Sequence, residues 1–133
     1  MPEKDYSATP LSRKLGLKPD LRFRILGQAP AGLAASLEPA LSETAVAQAE
    51  ADLTLLFAKD ADALRELFAQ ALASRAAGGA IWIAWPKKSS RVATDVSFET
   101  VQGLGPSSGL VDVKVCSVDE TWSALKFVER KAR

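Results

Sequence analysis

Apolar residues along this chain fall into two rhythms, one of period two and one of period near 3.6, and the two alternate. Leu21, Phe23 and Ile25 interleave with Arg22 and Arg24, which predicts a first strand over residues 21–27 with one face partly open near its start. Leu53–Ala58 (LTLLFA) and Ala80–Trp85 (AIWIAW) are nearly unbroken apolar runs, as expected of strands covered on both faces. Between them Leu64, Leu67, Phe68, Ala71 and Leu72 recur at helical spacing behind Asp60, a good N-cap, and Gly78-Gly79 is expected to stop that helix. Pro86 is expected to end the second apolar strand.

The flanking segments carry weaker signals. The first nine residues lack periodicity and are expected to be mobile. Thr9 can cap a short helix over residues 10–16, with Pro10 at its first position, Leu11 and Leu15 on one face and Gly16 ending it. A turn-rich segment, Gly27–Gly32, leads into a short Ala-rich helix. Residues 38–52 fit either a short edge strand at Thr44–Gln48 or a helix over 42–51. Asp95 can cap a helix over 96–103, closed by Gly103 or Gly105. Residues 110–118 and 122–130 then read as a hairpin, antiparallel because its turn is so short, followed by a frayed ERKAR tail.

Strand–helix alternation with long apolar strands predicts an α/β domain: five to six mostly parallel strands, helices on both faces, and an antiparallel C-terminal hairpin. In such a sheet ligands bind beyond the carboxyl ends of the strands, near the point where strand order reverses. Four segments reach that edge: Gly27–Gly32, Lys59-Asp60, Trp85–Lys88 and the turn Asp119–Trp122. The candidate ligand contacts are therefore Gly27, Gln28 and Gly32 through backbone and amide, and Lys87 and Lys88 as point charges. Trp85 and Trp122 are candidate stacking surfaces, and Asp119 and Glu120 candidate acceptors.

Each has a plainer reading beside it. Gly27–Gly32 is not a complete phosphate-binding fingerprint, since Pro30 has no amide proton and the middle glycine is missing. Lys87 and Lys88 can be solvated loop lysines, Asp119 and Thr121 suit a tight turn, and Trp82 reads as core. Cys116, in mid-strand, reads as an inert packed thiol.

Composition narrows the chemistry. At 133 residues the chain is sized for one domain that buries roughly 65–70% of its unfolded surface. It holds 17 Lys and Arg against 16 Asp and Glu, so a net charge of +1 predicts no general attraction to nucleic acid or acidic membranes. No histidine is present, which removes the commonest general base and metal ligand, and the single cysteine excludes an internal disulfide or a thiolate zinc site. No metal site is expected. Without a membrane-length apolar run or a leader-like N-terminus, the chain is expected in the cytoplasm.

The stretches YSATPLSRKLGLKP, IWIAWPKKSS with Thr94-Asp95, and GLVDVKVCSVDETWSALKFVER resemble a family of short bacterial proteins classed as a domain of unknown function, common in actinobacteria. With ADLTLLF and GGAIWIAWP they also resemble S-adenosylmethionine-dependent methyltransferase domains. The resemblance implies a three-layer, Rossmann-like fold and no established activity. Departures are clear: the glycine-rich cofactor loop is here GQAPAG, and only residues 28–52 separate strand one from the next apolar run. The acidic residue that binds the cofactor ribose has Glu43 and Glu50 as its nearest candidates.

The reading that follows is a small α/β domain that binds a small anionic or nucleotide-like ligand at the sheet's carboxyl edge. S-adenosylmethionine is the cofactor the resemblance brings, although none is expected to be required. The rival is a protein–protein or homodimerisation module using the weak edge strand and the hairpin. Third comes a degenerate methyltransferase. An enzyme with Lys87 or Asp119 as acid or base would need a strongly shifted pKa.

Overall fold

The computed structural model describes residues 10–18, 20–33, 37, 45–46 and 50–130. The predicted mobile N-terminus, the Thr9 cap, most of the Ala-rich helix after Gly32 and the last three tail residues lie outside them. The elements are α1 (Leu11–Leu15), β1 (Arg22–Gly27), β2 (Ala45–Val46), β3 (Ala51–Phe57), α2 (Ala61–Ala73), β4 (Arg75–Pro86), α3 (Phe98–Gln102), α4 (Leu104–Ser108), β5 (Leu110–Ser117) and β6 (Trp122–Glu129).

Among the described residues six strands form one sheet in the order β2-β1-β3-β4-β6-β5. β2, β1, β3 and β4 are parallel, and β6 inserts antiparallel between β4 and β5. The two apolar runs thus occupy the centre, where both faces of a strand are covered. One face packs Leu26, Leu56, Ile81, Ile83, Leu125 and Phe127 against Leu64 and Phe68 of α2 and Val101 of α3. The other packs Phe23, Leu53, Leu55, Trp82 and Ala124 against Leu11 and Leu15 of α1. Trp82 is fully buried, and its indole N–H donates to the Leu15 carbonyl at 3.0 Å, so α1 is pinned to the sheet by a hydrogen bond as well as by packing.

At the start of β1, Arg22 is exposed and its guanidinium grips both carboxylate oxygens of Asp52, at 3.1 and 3.0 Å. This explains how the strand tolerates an arginine there: the open face is bridged to β3 by a fork-shaped ion pair. Within residues 42–51, Ala45–Val46 pairs with β1 as a parallel edge, as the strand alternative expects, while 42–44 and 47–49 lie outside the described residues.

Four local expectations change. Pro10 is the N-cap of α1 rather than its first residue, and the chain leaves the helix through Gly16 at φ 88°, with Leu17 N–H reaching back to the Ser12 carbonyl at 3.0 Å. Gly78-Gly79 does not stop α2. That helix ends at Ser74, and the glycines lie inside β4, where Ala51 pairs with Arg75 but Leu53 pairs with Ala80. A Cβ on Gly79 would lie 2.7 Å from the Ala51 carbonyl oxygen, so glycine is what lets the extra residues bulge out and the register recover. The predicted helix 96–103 is split into α3 and α4. Its cap is Ser97, which accepts from Thr100 N–H at 3.2 Å, and not Asp95.

Among the described residues no helix is long and apolar enough to cross a membrane.

Candidate functional site

β1 connects outward to β2, and the chain then returns to the other side of β1 as β3, so strand order reverses between β1 and β3. At their carboxyl ends a cleft of about 250 Å³ opens, with Gly27 and Gln28 on one wall and Lys59 and Asp60 on the other. Phe57, Ala63, Leu67 and Trp122 complete its lining.

Gly27 is the residue on which this geometry turns. It has φ 84° and pairs with Phe57 at the end of the β1–β3 ladder. A Cβ there would lie 2.3 Å from the Phe57 carbonyl oxygen and 3.0 Å from Leu67, so only glycine lets β1 leave the sheet this close to β3 and α2.

The opposite wall is fixed by α2. Asp60 caps the helix by accepting from Ala63 N–H at 2.8 Å. Asp95, arriving from the loop after β4, accepts from Ala61 N–H at 2.7 Å, so it caps α2 rather than the helix that follows it in sequence. Thr94 donates its hydroxyl to the Lys59 carbonyl, lacing the same loop to the β3–α2 junction. Two carboxylates therefore satisfy the helix's positive end, leaving Lys59 as the nearby cation.

Trp122 reaches the cleft from the hairpin. Its ring is buried and meets Phe57 edge-to-face, centroids 5.1 Å apart and planes at 86°. The turn before it is closed by Asp119, whose carboxylate accepts from the Thr121 and Trp122 amides, both at 2.8 Å. Lys87 braces this turn from outside: its ammonium donates to Ser117 Oγ and to the Asp119 carbonyl, each at 2.7 Å, and its own N–H donates to the Thr121 carbonyl. The ammonium of Lys87 thus meets the backbone of Asp119 and not its carboxylate.

The sequence-predicted residues therefore divide. Gly27, Gln28 and Trp122 line the switch-point cleft. Trp85 and Lys88 line a neighbouring cavity of about 490 Å³ with Asp95, Ser97 and Phe98, where the Trp85 and Phe98 rings sit 6.1 Å apart. Lys87 and Asp119 form the brace just described, Glu120 is exposed at the turn tip, and Gly32 adopts φ 87° in the loop after β1. Sequence reasoning missed Phe57 and Leu67 as cleft residues and placed Lys59-Asp60 at this edge without naming either as a ligand contact. Nothing in the apolar run marks Phe57 off from core, and Asp60 is fully accounted for as a cap. Position at the carboxyl end of β3 was the signal that could have found Phe57, while Leu67, in mid-α2, carries no such signal.

Cys116 is half-buried, and burial pushes its thiol up despite Lys14 and Lys114 nearby, which keeps it in the unreactive protonated form. Among the described residues no group of three or more Cys, Asp or Glu side chains is placed to hold a metal ion.

Strand order, helix layers and the cleft at the order reversal define the class: an α/β domain with the Rossmann-like methyltransferase fold. The chain belongs to DUF3052, a family of proteins of unknown function, whose pattern matches residues 31–131. No curated protein sequence matches it significantly.

Solved structures show the fold relationship. The N-methyltransferase NodS of Bradyrhizobium japonicum WM9 superposes with a TM-score of 0.61 at 15% identity, covering 91% of this chain and 93% of that one. Magnesium protoporphyrin IX methyltransferase of Synechocystis PCC 6803, with bound SAM, gives 0.62 at 10% identity, over 90% of this chain and 74% of that one. The ribosomal protein L11 methylase of Lactobacillus delbrueckii subsp. bulgaricus gives 0.59 at 11% identity, over 97% and 81%.

Among the described residues the cleft departs from what the resemblance implies for an S-adenosylmethionine site. The cleft volume of about 250 Å³ falls below the roughly 300–1,000 Å³ of ordinary cofactor and drug-sized sites. The bare side of Gly27 faces the Phe57 carbonyl and Leu67, so this glycine serves the close packing of β1 on β3 and α2. After β2 the sequence continues Ala47-Gln48, without a carboxylate to take ribose hydroxyls. Glu50 lies at the opposite edge, 3.8 Å from Arg22, and Glu43 is outside the described residues.

Proposed function

We propose that this domain is a small-ligand-binding derivative of the methyltransferase fold, with the switch-point cleft as its site. The observation that supports it is the convergence of Gly27, Gln28, Lys59, Asp60 and Trp122 on one concavity where strand order reverses. The ligand class that suits these walls is nucleoside-like and no larger than a nucleoside. An aromatic body lies against Phe57 and Trp122, and hydroxyls or an amine meet the Gln28 amide and the free oxygen of Asp60. The charges weigh against a strongly anionic ligand here, because Asp60 and Asp95 outnumber Lys59 and already occupy the α2 amides. No methyl transfer step is proposed.

The test is thermal denaturation with adenosine, guanosine, their monophosphates and S-adenosylmethionine. A ligand at about 100 times its Kd adds about 2.7 kcal/mol of stability, a shift of several degrees. Gln28→Ala and Lys59→Ala should abolish the shift while leaving the unliganded Tm within about a degree of the parent, as exposed substitutions do. Absence of any shift at millimolar ligand across the whole panel sinks this reading.

A second reading, pairing with another chain through β5, is favoured by one observation. β5 is a sheet edge, and its Val113 and Val115 are each 55% exposed. Light scattering tests it: a dimer that Val113→Lys and Val115→Lys dissolve supports it, and a monomer at high concentration removes it.

A further inference from the structure

A different concentration of charge lies on the α1 face of the hairpin, away from the switch-point cleft. Lys114 of β5 and Lys126 of β6 are directly paired across the antiparallel ladder. Like charges opposite one another on neighbouring strands repel, and sheets ordinarily place an acid or a neutral residue at one of the two positions. Here two further lysines join them. The Lys14 ammonium reaches the Ser117 carbonyl at 3.5 Å, and Lys114 reaches the Lys14 carbonyl at 3.4 Å. Lys18 and Lys126 both line a cavity of about 280 Å³ with Leu15, Gly16 and Asp52.

Among the described residues, none of these four lysines has a carboxylate partner. Asp52, the acid in the cavity wall, is held by both arms of Arg22. Lys126 is half-buried, and its ammonium lies 5.9 Å from the centre of the Trp82 ring. A ring face compensates a desolvated ammonium only in part. Burial, then the charges of Lys114 and Lys18, hold its pKa below the usual lysine range, the direction expected of a cation kept without its counter-ion. Gly16 lines the same cavity and presents no side chain toward the Lys126 ammonium, which would lie 3.8 Å from a Cβ there.

We propose that Lys14, Lys18, Lys114 and Lys126 form a binding site for a compact free anion bearing two or more phosphate groups, seated over the α1–β6 cavity. Four ammonium groups on one face, with Lys18 and Lys126 lining the cavity and Lys114 paired across the ladder from Lys126, suit several negative charges close together, and the cavity's size suits a small molecule. A net charge of +1 for the whole chain argues against a long polyanion as the natural occupant, because only this face would attract it.

Calorimetric titration of the full chain with inorganic tripolyphosphate at low ionic strength tests the site. Binding should weaken as salt is raised. Lys114→Glu and Lys126→Met should each weaken it by about tenfold or more, as expected on losing one charge-assisted contact. Arg65→Gln, which removes one positive charge on α2, should leave the affinity unchanged. Lys114 is exposed, so its substitution retains the fold and separates lost binding from lost structure. The proposal is overturned if the parent binds no tripolyphosphate, or if Arg65→Gln weakens binding as much as Lys114→Glu does. It is equally overturned if a single-stranded oligonucleotide of about 20 nucleotides binds more than tenfold tighter, since that marks an extended polyanion surface.

Discussion

Gly27 and Thr54 lie on neighbouring strands and pull stability in opposite directions. Gly27→Ala places a methyl group 2.3 Å from the Phe57 carbonyl and forces alanine to φ 84°. The expected loss is at least about 2 kcal/mol by urea denaturation, combining left-handed strain with overpacking. An unchanged urea midpoint would mean that β1 does not leave the sheet as described. Thr54 is fully buried in β3 and its hydroxyl has no hydrogen-bond partner among the described residues. Thr54→Val keeps the shape and removes the unsatisfied group, so it should stabilise by about 1 kcal/mol in the same assay. At this scale the sequence was readable where a residue's type limits its options. Trp82, flanked by isoleucines, had to be core, and Gly16 had to end a helix. It was unreadable where a side chain serves a distant partner. Asp95 has the composition of a cap for its own helix, yet the amide it satisfies belongs to Ala61, which only the folded loop brings within 2.7 Å.

Among the elements, α2 shows how the cleft is held in shape. Its first turn is capped twice, by Asp60 from its own chain segment and by Asp95 from the loop after β4. Asp95→Ala should cost about 0.5–2 kcal/mol, the usual value of a lost N-cap. It should also raise amide exchange at Ala61 without speeding exchange in β3 and β4. If exchange rises equally across the sheet, Asp95 supports the fold as a whole and not this junction. The strands and α2 were legible because period and length both pointed the same way. The boundary between α2 and β4 was not, because Gly78-Gly79 is an equally good signal for a helix stop and for a bulge. What decides between them is the carbonyl of Ala51 packed against Gly79, a contact between segments far apart in sequence. The split of 96–103 into two short helices follows the same logic, with the Ser97 hydroxyl taking the capping role that sequence spacing offered to Asp95.

Across the whole molecule the switch-point cleft and the α1 face of the hairpin carry different electrostatics. The order reversal that makes the switch-point cleft could be anticipated from strand–helix alternation, which is why Gly27, Gln28 and Trp122 were identifiable beforehand. The lysine cluster could not, because Lys14, Lys114 and Lys126 become neighbours only when α1 docks beside the hairpin and Lys114 falls opposite Lys126 in register. That juxtaposition has a consequence for stability that can be separated from binding. Lys114→Glu replaces a repelling cross-strand pair with an attracting one and should stabilise the free domain by about 0.2–1 kcal/mol, while weakening tripolyphosphate binding.

Lys126→Met should stabilise as well, with a pH dependence whose sign is fixed. The Lys126 pKa is lower in the folded chain than in the unfolded one. Below the folded value both states are protonated and the full penalty is present. Between the folded and unfolded values the unfolded chain holds the extra proton, so the parent gains stability as pH rises through that alkaline window. The advantage of Lys126→Met over the parent should therefore be greatest near neutral pH and shrink as pH is raised. Parallel stability curves for the two proteins across that range would show that Lys126 is not held under charge stress.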